Sequence, residues 1–267
     1  MRKLSAVCCL LLTVYLLTGC LPKKTSPVGP AGKATPIPTK PLEESILERP
    51  FVSLTPTSDG HWVNLEIKNI KPGIKSIDYE LTYFAGDIGN KIERGVAGSL
   101  ELKGETSLSR KILFGSESCT VKCKYKFDEN VSEGVLTLKL RGDSDTQKYE
   151  SAFRLQKGNE AEEGLTNGDG DFKFTSSGLS KISFFLTIST FGVPTSLPPA
   201  VVPKIAPYAV FSASGGVKTG TVSFKTTLSN PSIYAFDGNS WSKLDTDISD
   251  GQATASSASQ NIFILTE

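Results

Sequence analysis

Short segments in which apolar and polar residues alternate recur along most of this chain, and they constrain its fold more than any other feature. One such segment runs from Val63 to Ile67, and another runs from Ile77 to Tyr83. A period of two is that of a strand with one buried face. Turn signals such as Lys71-Pro72-Gly73 separate the segments. The sequence therefore predicts an all-β fold made of antiparallel strands, without a convincing helix.

Further predicted strands fall into two groups, separated by the polar connector 157–165. The first group adds segments 100–102, 111–114, 120–127, 135–140 and 149–155, and the second has segments 172–174, 182–188, 208–213, 220–226, 232–236, 252–256 and 261–265. A proline-laden loop, 193–207, crosses the second group. The grouping predicts two tandem antiparallel β-sandwich domains, 46–156 and 166–267, each of a size that can bury its own core.

Each group of short, evenly spaced strands resembles the immunoglobulin and fibronectin type III domains of bacterial surface proteins. The Cys…Trp…Cys spacing of antibody-type domains is absent from both groups. The resemblance therefore concerns architecture alone. It implies an Ig-like β-sandwich in each domain and says nothing about activity.

The N-terminal segment has the three parts of a secretory signal. Arg2 and Lys3 precede a stretch, 5–16, that is almost wholly apolar, and Leu17-Thr18-Gly19-Cys20 closes it. Because a cysteine stands at the expected cleavage site, the segment resembles a bacterial lipoprotein signal with its lipobox. The resemblance implies that 1–19 is a signal peptide and that Cys20 becomes the lipidated mature N-terminus. The alternative is an ordinary signal peptide that is cut elsewhere, with Cys20 incidental.

Residues 20–45 form a proline-rich segment that separates the lipid site from the predicted domains. Prolines favour extended conformations, so this linker is expected to act as a semi-rigid spacer. The lipoprotein resemblance implies a cell-envelope location, with the domains held outside the cytoplasm. Leu21, rather than Asp, follows the lipid site. By family analogy, this favours the outer membrane in a cell that has two membranes.

Charge excludes one class of partner. The chain has 29 Lys and Arg against 28 Asp and Glu, a formal net charge of +1. Nucleic-acid binding draws most of its affinity from an excess of positive charge over phosphate groups, and this chain has no such excess. The expected partners are the membrane through the lipid on Cys20, an envelope or surface protein, or a glycan, and not a nucleic acid.

Cys119 and Cys123 are the two cysteines after Cys20, and their spacing allows two structures. If 118–127 is one continuous alternating strand, their Cα atoms lie about 13 Å apart at ~3.3 Å per residue. A disulfide needs Cα atoms within about 7 Å, so it would require a turn at 120–122. A zinc site is not expected, because two thiolates lack the other two ligands that zinc takes.

A cluster of oxygen-bearing side chains, Asn167, Asp169 and Asp171, is the calcium candidate. Calcium takes six to eight oxygen ligands. As an EF-hand-like loop the segment fails, because Phe172 stands where glycine is required and Gly178 where the bidentate glutamate belongs. A turn needs the same residue types, since Asn, Asp and Gly tolerate positive φ.

Enzymatic candidates are few. His61 is the only histidine in the chain, and any Ser/His or Cys/His mechanism would have to use it as the base. No nucleophile-elbow motif accompanies it. Two carboxylate pairs, Asp78 with Glu80 and Glu129 with Glu133, could serve a glycosidase only if they faced each other at the right separation.

Aromatic side chains offer a route to glycan binding. Trp62, Trp241, Tyr234 and Tyr208 could stack on sugars if they lined a groove, whereas aromatic residues in β-sandwiches commonly fill the core. We expect a non-enzymatic binding or structural role at the cell envelope, such as protein interaction, adhesion or assembly, without a cofactor. The alternative is a carbohydrate- or cell-wall-binding module, and an envelope hydrolase is a third hypothesis.

Overall fold

The protein folds as a set of antiparallel β-sheets, seen in a computed structural model that describes residues 44–214 and 219–267. Short 3₁₀ segments occur at Ile46–Glu48 and Gly158–Glu160. The strands in chain order are β1 (Phe51–Pro56), β2 (Trp62–Lys68), β3 (Ser76–Ala85), β4 (Ile92–Glu101), β5 (Leu108–Leu113), β6 (Gly115–Cys119), β7 (Cys123–Phe127), β8 (Glu133–Arg141), β9 (Thr146–Lys157), β10 (Leu165–Thr166), β11 (Phe172–Thr175), β12 (Phe184–Ser189), β13 (Tyr208–Ser212), β14 (Gly220–Lys225), β15 (Ser232–Phe236), β16 (Trp241–Lys243), β17 (Thr246–Ser249), β18 (Gln252–Ser257) and β19 (Ile262–Thr266). The predicted all-β class is confirmed.

A nine-stranded sheet forms the centre of the fold, in the order β16-β15-β19-β13-β12-β9-β8-β3-β4. A three-stranded sheet, β1-β2-β5, and a five-stranded sheet, β10-β11-β14-β18-β17, accompany it. Strands β6 and β7 form a separate two-stranded hairpin. All strand pairs are antiparallel, in agreement with the alternating burial along β2 and β3.

Two hydrophobic cores lie against the central sheet. The first core contains residues of the three-stranded sheet, such as Leu54 and Leu65, packed with Leu81 and Leu138 of the central sheet. The second contains residues of the five-stranded sheet, such as Phe174, packed with residues of β15 and β19. We call the parts built around these cores the first lobe and the second lobe.

Strands β12 and β13 contribute to both cores. Along β12, Phe185 lies in the second core, whereas Leu186 lies in the first. Along β13, Val210 lies in the second core and Phe211 in the first. Because successive side chains of a strand point to opposite faces, the two lobes cover opposite faces of the shared strands. Every residue of β13 is buried for this reason.

The predicted domain boundary at 157–165 falls between neighbouring strands of one sheet. Residues 153–157 of β9 pair with 184–188 of β12, from Phe153 opposite Ile188 to Lys157 opposite Phe184. All described residues belong to one compact unit. The two-domain Ig-like arrangement is therefore not confirmed: the sheet continues from one lobe into the other.

Several local expectations differ from the structure. The predicted strand 120–127 is the turn and second arm of the hairpin β6–β7. The strand predicted at 100–102 begins much earlier, at Ile92. Strand β1 was not predicted, although Phe51–Pro56 is almost wholly buried. The predicted signal peptide 1–19, the predicted lipid site Cys20 and most of the predicted linker 20–45 lie outside the described residues.

The chain enters the first lobe at Glu44, whose carboxylate accepts hydrogen bonds from the Lys71 ammonium and the Tyr149 hydroxyl. The hydrogen bond to Glu44 is the main cause that raises the pKa of Lys71. Glu44 is thus held against the first lobe. Within the described residues, we find no helix with the length and apolar character needed to cross a membrane.

Alkaline pH is expected to destabilise the fold through three tyrosines. Burial raises the pKa of Tyr83, Tyr149 and Tyr208, and hydrogen bonds to carboxylates add to the shift in each case. In the unfolded chain these phenols ionise near pH 10.0, so above that pH the unfolded state releases protons that the folded state retains. The three tyrosines therefore contribute fully to the free energy of unfolding below pH 10, and this contribution declines as the pH rises further.

Urea unfolding measured from about pH 8 to pH 11 tests this expectation. In the variant Tyr149→Phe, the decline above pH 10 should be shallower, because one of the three phenols is gone. A free energy of unfolding that stays constant across the range would contradict the assignment.

Candidate functional site

The hairpin β6–β7 projects from the first lobe. Its arms pair from Gly115 opposite Phe127 to Cys119 opposite Cys123. The two sulfur atoms are bonded at 2.10 Å, so the structure has the turn at 120–122 rather than a continuous strand. Every residue from Ser116 to Lys126 is exposed, and Val121 at the tip is 96% exposed.

The hairpin has two chemically different faces. Alternation along β7 places Tyr125 and Phe127 on one face, whereas Lys124 and Lys126 point to the other. Lys122 adds a third lysine in the turn, and Glu117 is the only acidic residue between Gly115 and Phe127. An aromatic face and a basic face therefore lie back to back in a nearly neutral chain.

The aromatic face of the hairpin packs against β2 and the residue before it. Phe127 stacks on His61 with ring centroids 4.1 Å apart and planes 8° apart. Tyr125 lies beside Phe127 and meets the indole of Trp62 edge to face at 5.3 Å. We call these four residues the aromatic cluster. Tyr125 is its most accessible member, at 46% exposed.

The Trp62 ring already has a charged neighbour within the protein. The Lys111 ammonium lies 4.6 Å from the ring centroid, in a cation–π contact. One face of the indole is therefore covered by a side chain of β5. This leaves Tyr125 as the aromatic group of the cluster that is best placed to contact a partner.

A hydrogen-bond network fixes the base of the hairpin. Arg94 donates to both carboxylate oxygens of Asp128, from Nε at 3.2 Å and from Nη2 at 3.1 Å. The Tyr83 hydroxyl donates to Asp128 Oδ2 at 2.8 Å and accepts from the backbone N–H of Gly115 at 3.0 Å. Both ends of the hairpin are thus tied to β3 and β4.

Gly115 begins the hairpin because no other residue fits its position. Its φ of +143° lies in a region that L side chains rarely adopt, and a Cβ there would lie 2.1 Å from the Lys126 carbonyl oxygen. The backbone of β6 therefore approaches β7 closely at this point, where the hairpin leaves the lobe.

Tyr83→Phe is expected to lower the free energy of unfolding by about 1–3 kcal/mol. The side chain is 1% exposed. The change leaves the Gly115 N–H without its partner and removes one of the two hydrogen bonds to Asp128 Oδ2. Chemical denaturation measures the loss. Tyr234→Phe is the control, because the Tyr234 hydroxyl has no hydrogen-bond partner within the described residues. Equal stability of the two variants would contradict a role for the network.

The enzymatic candidates lie at separate places in the structure: His61 just before β2, Asp78 and Glu80 on β3, and Glu129 and Glu133 in the loop before β8 and at its start. His61 Nδ1 lies 3.4 Å from Asp59, and its ring stacks on Phe127. Asp78 and Glu80 lie side by side on one face of β3 and line the same side of one pocket, together with Ser99, Thr137 and Lys139. Burial opposes ionisation of Asp78, but hydrogen bonds from Ser99 and Arg141 outweigh it and hold its pKa below the usual value.

The other carboxylate pair lies beyond the base of the hairpin. Glu129 is an exposed loop residue, and Glu133 begins β8. Neither residue takes part in the network around Asp128.

The calcium candidate forms a turn whose oxygens already have partners. Asp169 accepts hydrogen bonds from the Asn167 amide, the Asp171 N–H at 2.9 Å and the Tyr208 hydroxyl at 3.0 Å. Asn167 Oδ1 accepts from the Phe172 N–H at 3.2 Å. Groups of three or more His, Cys, Asp or Glu that could hold a metal are absent from the described parts of the chain. The arrangement serves to begin β11.

The four aromatic residues considered for sugar stacking have separate surroundings. Tyr208 is buried and stacks on Phe172 in the second core. Trp241 packs on Phe236 at 5.2 Å, at the β16 edge of the central sheet. Trp62 belongs to the aromatic cluster, and Tyr234 is half-buried on β15. The structure does not gather them in one groove.

Sequence reasoning missed the main members of the hairpin surface. As one alternating strand, 118–127 would have Tyr125 and Phe127 on one side and its lysines on the other, with no indication that either side projects from the fold. The signal that could have revealed them is the density of lysines beside two cysteines four residues apart. Neither a protein-family model nor a curated protein matches this chain.

Proposed function

We propose that this protein is a lipid-anchored lipoprotein of the cell envelope that binds another envelope or surface protein without catalysing a reaction. The signal with its lipobox supports attachment through Cys20. The proline-rich linker supports a position away from the bilayer. In this proposal the folded part is two Ig-like sandwich lobes that share the central sheet.

The observation that carries the binding role is the projecting hairpin β6–β7. It is exposed from Ser116 to Lys126, closed by a disulfide near its tip and tied by a network at its base. A surface that is ordered before binding loses less conformational entropy when a partner docks. Exposed residues that are held rigidly in this way are suited to binding a partner.

The chemistry of the hairpin indicates the kind of partner. Tyrosine is enriched among residues that dominate binding energy at protein interfaces, and Tyr125 is accessible beside Trp62. Lys122, Lys124 and Lys126 favour an acidic surface and would speed the encounter with it. The proposed partner is therefore a protein that holds the hairpin between an acidic surface, against the lysine face, and a pocket for the Tyr125 ring on the other face.

Carbohydrate binding is the second candidate, and Tyr125 is the observation that favours it. An exposed tyrosine ring can stack on a sugar face. The Lys111 ammonium over Trp62 and His61 over Phe127 cover parts of the other rings. A flat platform of two or three open rings is not available, which favours a protein partner.

Cross-linking on intact cells, followed by purification of the chain and its adducts, tests the proposal. Tyr125→Ala and the double variant Lys124→Glu/Lys126→Glu should each reduce partner recovery by about tenfold or more. Lys243→Glu makes the same kind of charge change on an exposed residue of β16 and should leave recovery unchanged. Equal recovery with the hairpin variants would overturn the proposed site.

Membrane fractionation tests the anchor separately. The chain with Cys20→Ser should leave the membrane fraction, because the lipid supplies the binding energy. Unchanged membrane association would overturn the lipoprotein proposal. Recovery of cell-wall polymer alone in the cross-linking experiment would overturn the protein-binding proposal and support carbohydrate binding.

A further inference from the structure

Strand β4 is a long open edge of the central sheet. It spans ten residues and pairs only with β3, through an unbroken register from Ser76 opposite Glu101 to Ala85 opposite Ile92. The opposite end of the same sheet is β16, which has three residues. Short strands limit the exposure of a sheet edge, and β4 lacks this protection.

Three of the usual protections against pairing, namely proline, lysine and a bulge, are also missing from β4. The segment Ile92–Glu101 contains no proline and no lysine, and no bulge interrupts its register. The charge of Arg94 is already engaged by Asp128. Gly95, Ala97 and Ser99 present almost no side-chain bulk on the outer face of the edge. Another strand could therefore approach closely.

The free backbone groups of β4 can be assigned from the ladder with β3. The Leu102 N–H donates to the Lys75 carbonyl at 2.7 Å, directly beyond the pair Ser76–Glu101. Hydrogen-bonded residues alternate along an antiparallel strand. Even-numbered residues of β4 therefore face β3, and Glu93, Gly95, Ala97, Ser99 and Glu101 direct their N–H and C=O groups outward.

We propose that β4 pairs antiparallel with β4 of a second copy of this chain, with Val96 opposite Val96 across the twofold axis. In this register Lys91 lies opposite Glu101, and Ile92 lies opposite Leu100. Opposite charges and apolar pairs across strands each stabilise a sheet. The register also aligns the outward backbone groups of Gly95 with those of Ala97.

Charge complementarity selects this register over its neighbours. Lys91, Glu93 and Glu101 form no ion pair with another described residue, so their charges are available to a partner. Slipping the strands by one pairing step in one direction places Glu93 opposite Glu101, which is repulsive. The step in the other direction places Glu101 opposite Gly89 and loses the attraction to Lys91.

The inner face of β4 gives a second reason for self-pairing. Ile92 is 54% exposed, and Val96 and Leu100 are only partly buried against the first core. Pairing with a second copy places the same three apolar residues beside them. The open end of the first core is thereby covered by apolar side chains.

Cysteine trapping of the full chain in cells tests the pairing. Val96→Cys places two thiols opposite each other in a non-hydrogen-bonded pair, where Cα atoms lie about 4.5 Å apart, within the range for a disulfide. We expect a covalent dimer on a non-reducing gel. Ser99→Cys is the matched control, since the two thiols would lie about 20 Å apart along the strands. A dimer with Ser99→Cys but not with Val96→Cys would overturn the register.

Sedimentation of the purified full chain tests the dimer without a new cysteine. Ala97→Pro removes an outward N–H at the centre of the pairing and leaves the β3 ladder intact, because proline is tolerated on an edge strand at such a position. It should convert a dimer to a monomer, whereas Ala97→Thr, which keeps the N–H, should not. Circular dichroism checks that both variants are folded.

Three outcomes would overturn the proposal. One is a wild-type chain that sediments as a monomer at about 100 µM, where even weak pairing would be visible. Another is equal sedimentation of Ala97→Pro and Ala97→Thr, both folded. The third is a Val96→Cys adduct formed only with a different protein, which would assign the edge to that partner. None of these outcomes bears on the hairpin surface.

Discussion

Leu186→Ala is expected to lower the free energy of unfolding by about 2–5 kcal/mol, and to do so for both lobes at once. Leu186 is fully buried in the first core. Its neighbour Phe185 lies in the second core, on the same strand. Because β12 is shared, weakening its packing on one face destabilises the sheet to which both lobes are attached.

The two tryptophans allow unfolding to be followed at two places around the first core, because Trp241 packs against that core from the central sheet. Trp62→Phe leaves Trp241 at the β16 edge, and Trp241→Phe leaves Trp62 on β2, in the three-stranded sheet. In each background, fluorescence during urea unfolding should give one midpoint, and Leu186→Ala should shift both midpoints equally. Ile182→Ala, at a residue 78% exposed just before β12, is the control and should shift neither. Two separate midpoints would indicate that the three-stranded sheet and the β16 edge of the central sheet unfold independently.

Phe172→Ala is expected to cost about 3–5 kcal/mol, the largest loss we expect from a single truncation. Phe172 is fully buried, with ring centroids 5.2 Å from those of Tyr208 and Phe224. Removing the ring leaves a cavity between the five-stranded sheet and the central sheet, and it also ends these aromatic contacts.

Chemical denaturation measures this loss directly. Phe172→Leu keeps much of the apolar volume and should cost clearly less than Phe172→Ala. Phe84→Ala removes the same type of side chain at a residue 40% exposed on β3 and should change stability little. A loss below about 1 kcal/mol for Phe172→Ala would show that the second core is not packed around this ring.

Strands could be predicted from the sequence wherever one face is buried and the other is exposed to solvent. Val63–Ile67 and Ile77–Tyr83 are of this kind, and both lie within strands of the structure. Most of strand β4, before residue 100, was missed because an edge strand has less to bury. Its outer residues are small, and Arg94 and Gly98 interrupt the apolar residues of its inner side.

The hairpin shows why alternation alone does not determine a strand's path. Cys119 and Cys123 are an even number of residues apart, so they share a face both in one straight strand and in a hairpin that doubles back between them. Local periodicity is the same in the two structures. The pairing of β6 with β7 distinguishes them, and the sequence pattern does not encode that pairing.

The sequence did not predict that the two lobes share one sheet, for a related reason. The polar composition of 157–165 is typical of a linker, yet β9 before it and β12 after it are hydrogen-bonded neighbours. Pairing between strands distant in sequence depends on the whole fold. The aromatic cluster likewise brings Trp62 beside Tyr125, which no local signal predicts.

The sharing of β12 and β13 between two cores also limits how this protein can change over evolutionary time. A substitution in either strand must be compatible with packing partners on both faces, so the two lobes cannot drift separately there. Neither lobe can be moved by gene fusion into another protein without these two strands. The lobes are inherited as a pair, unlike repeated modules that are duplicated and exchanged one by one.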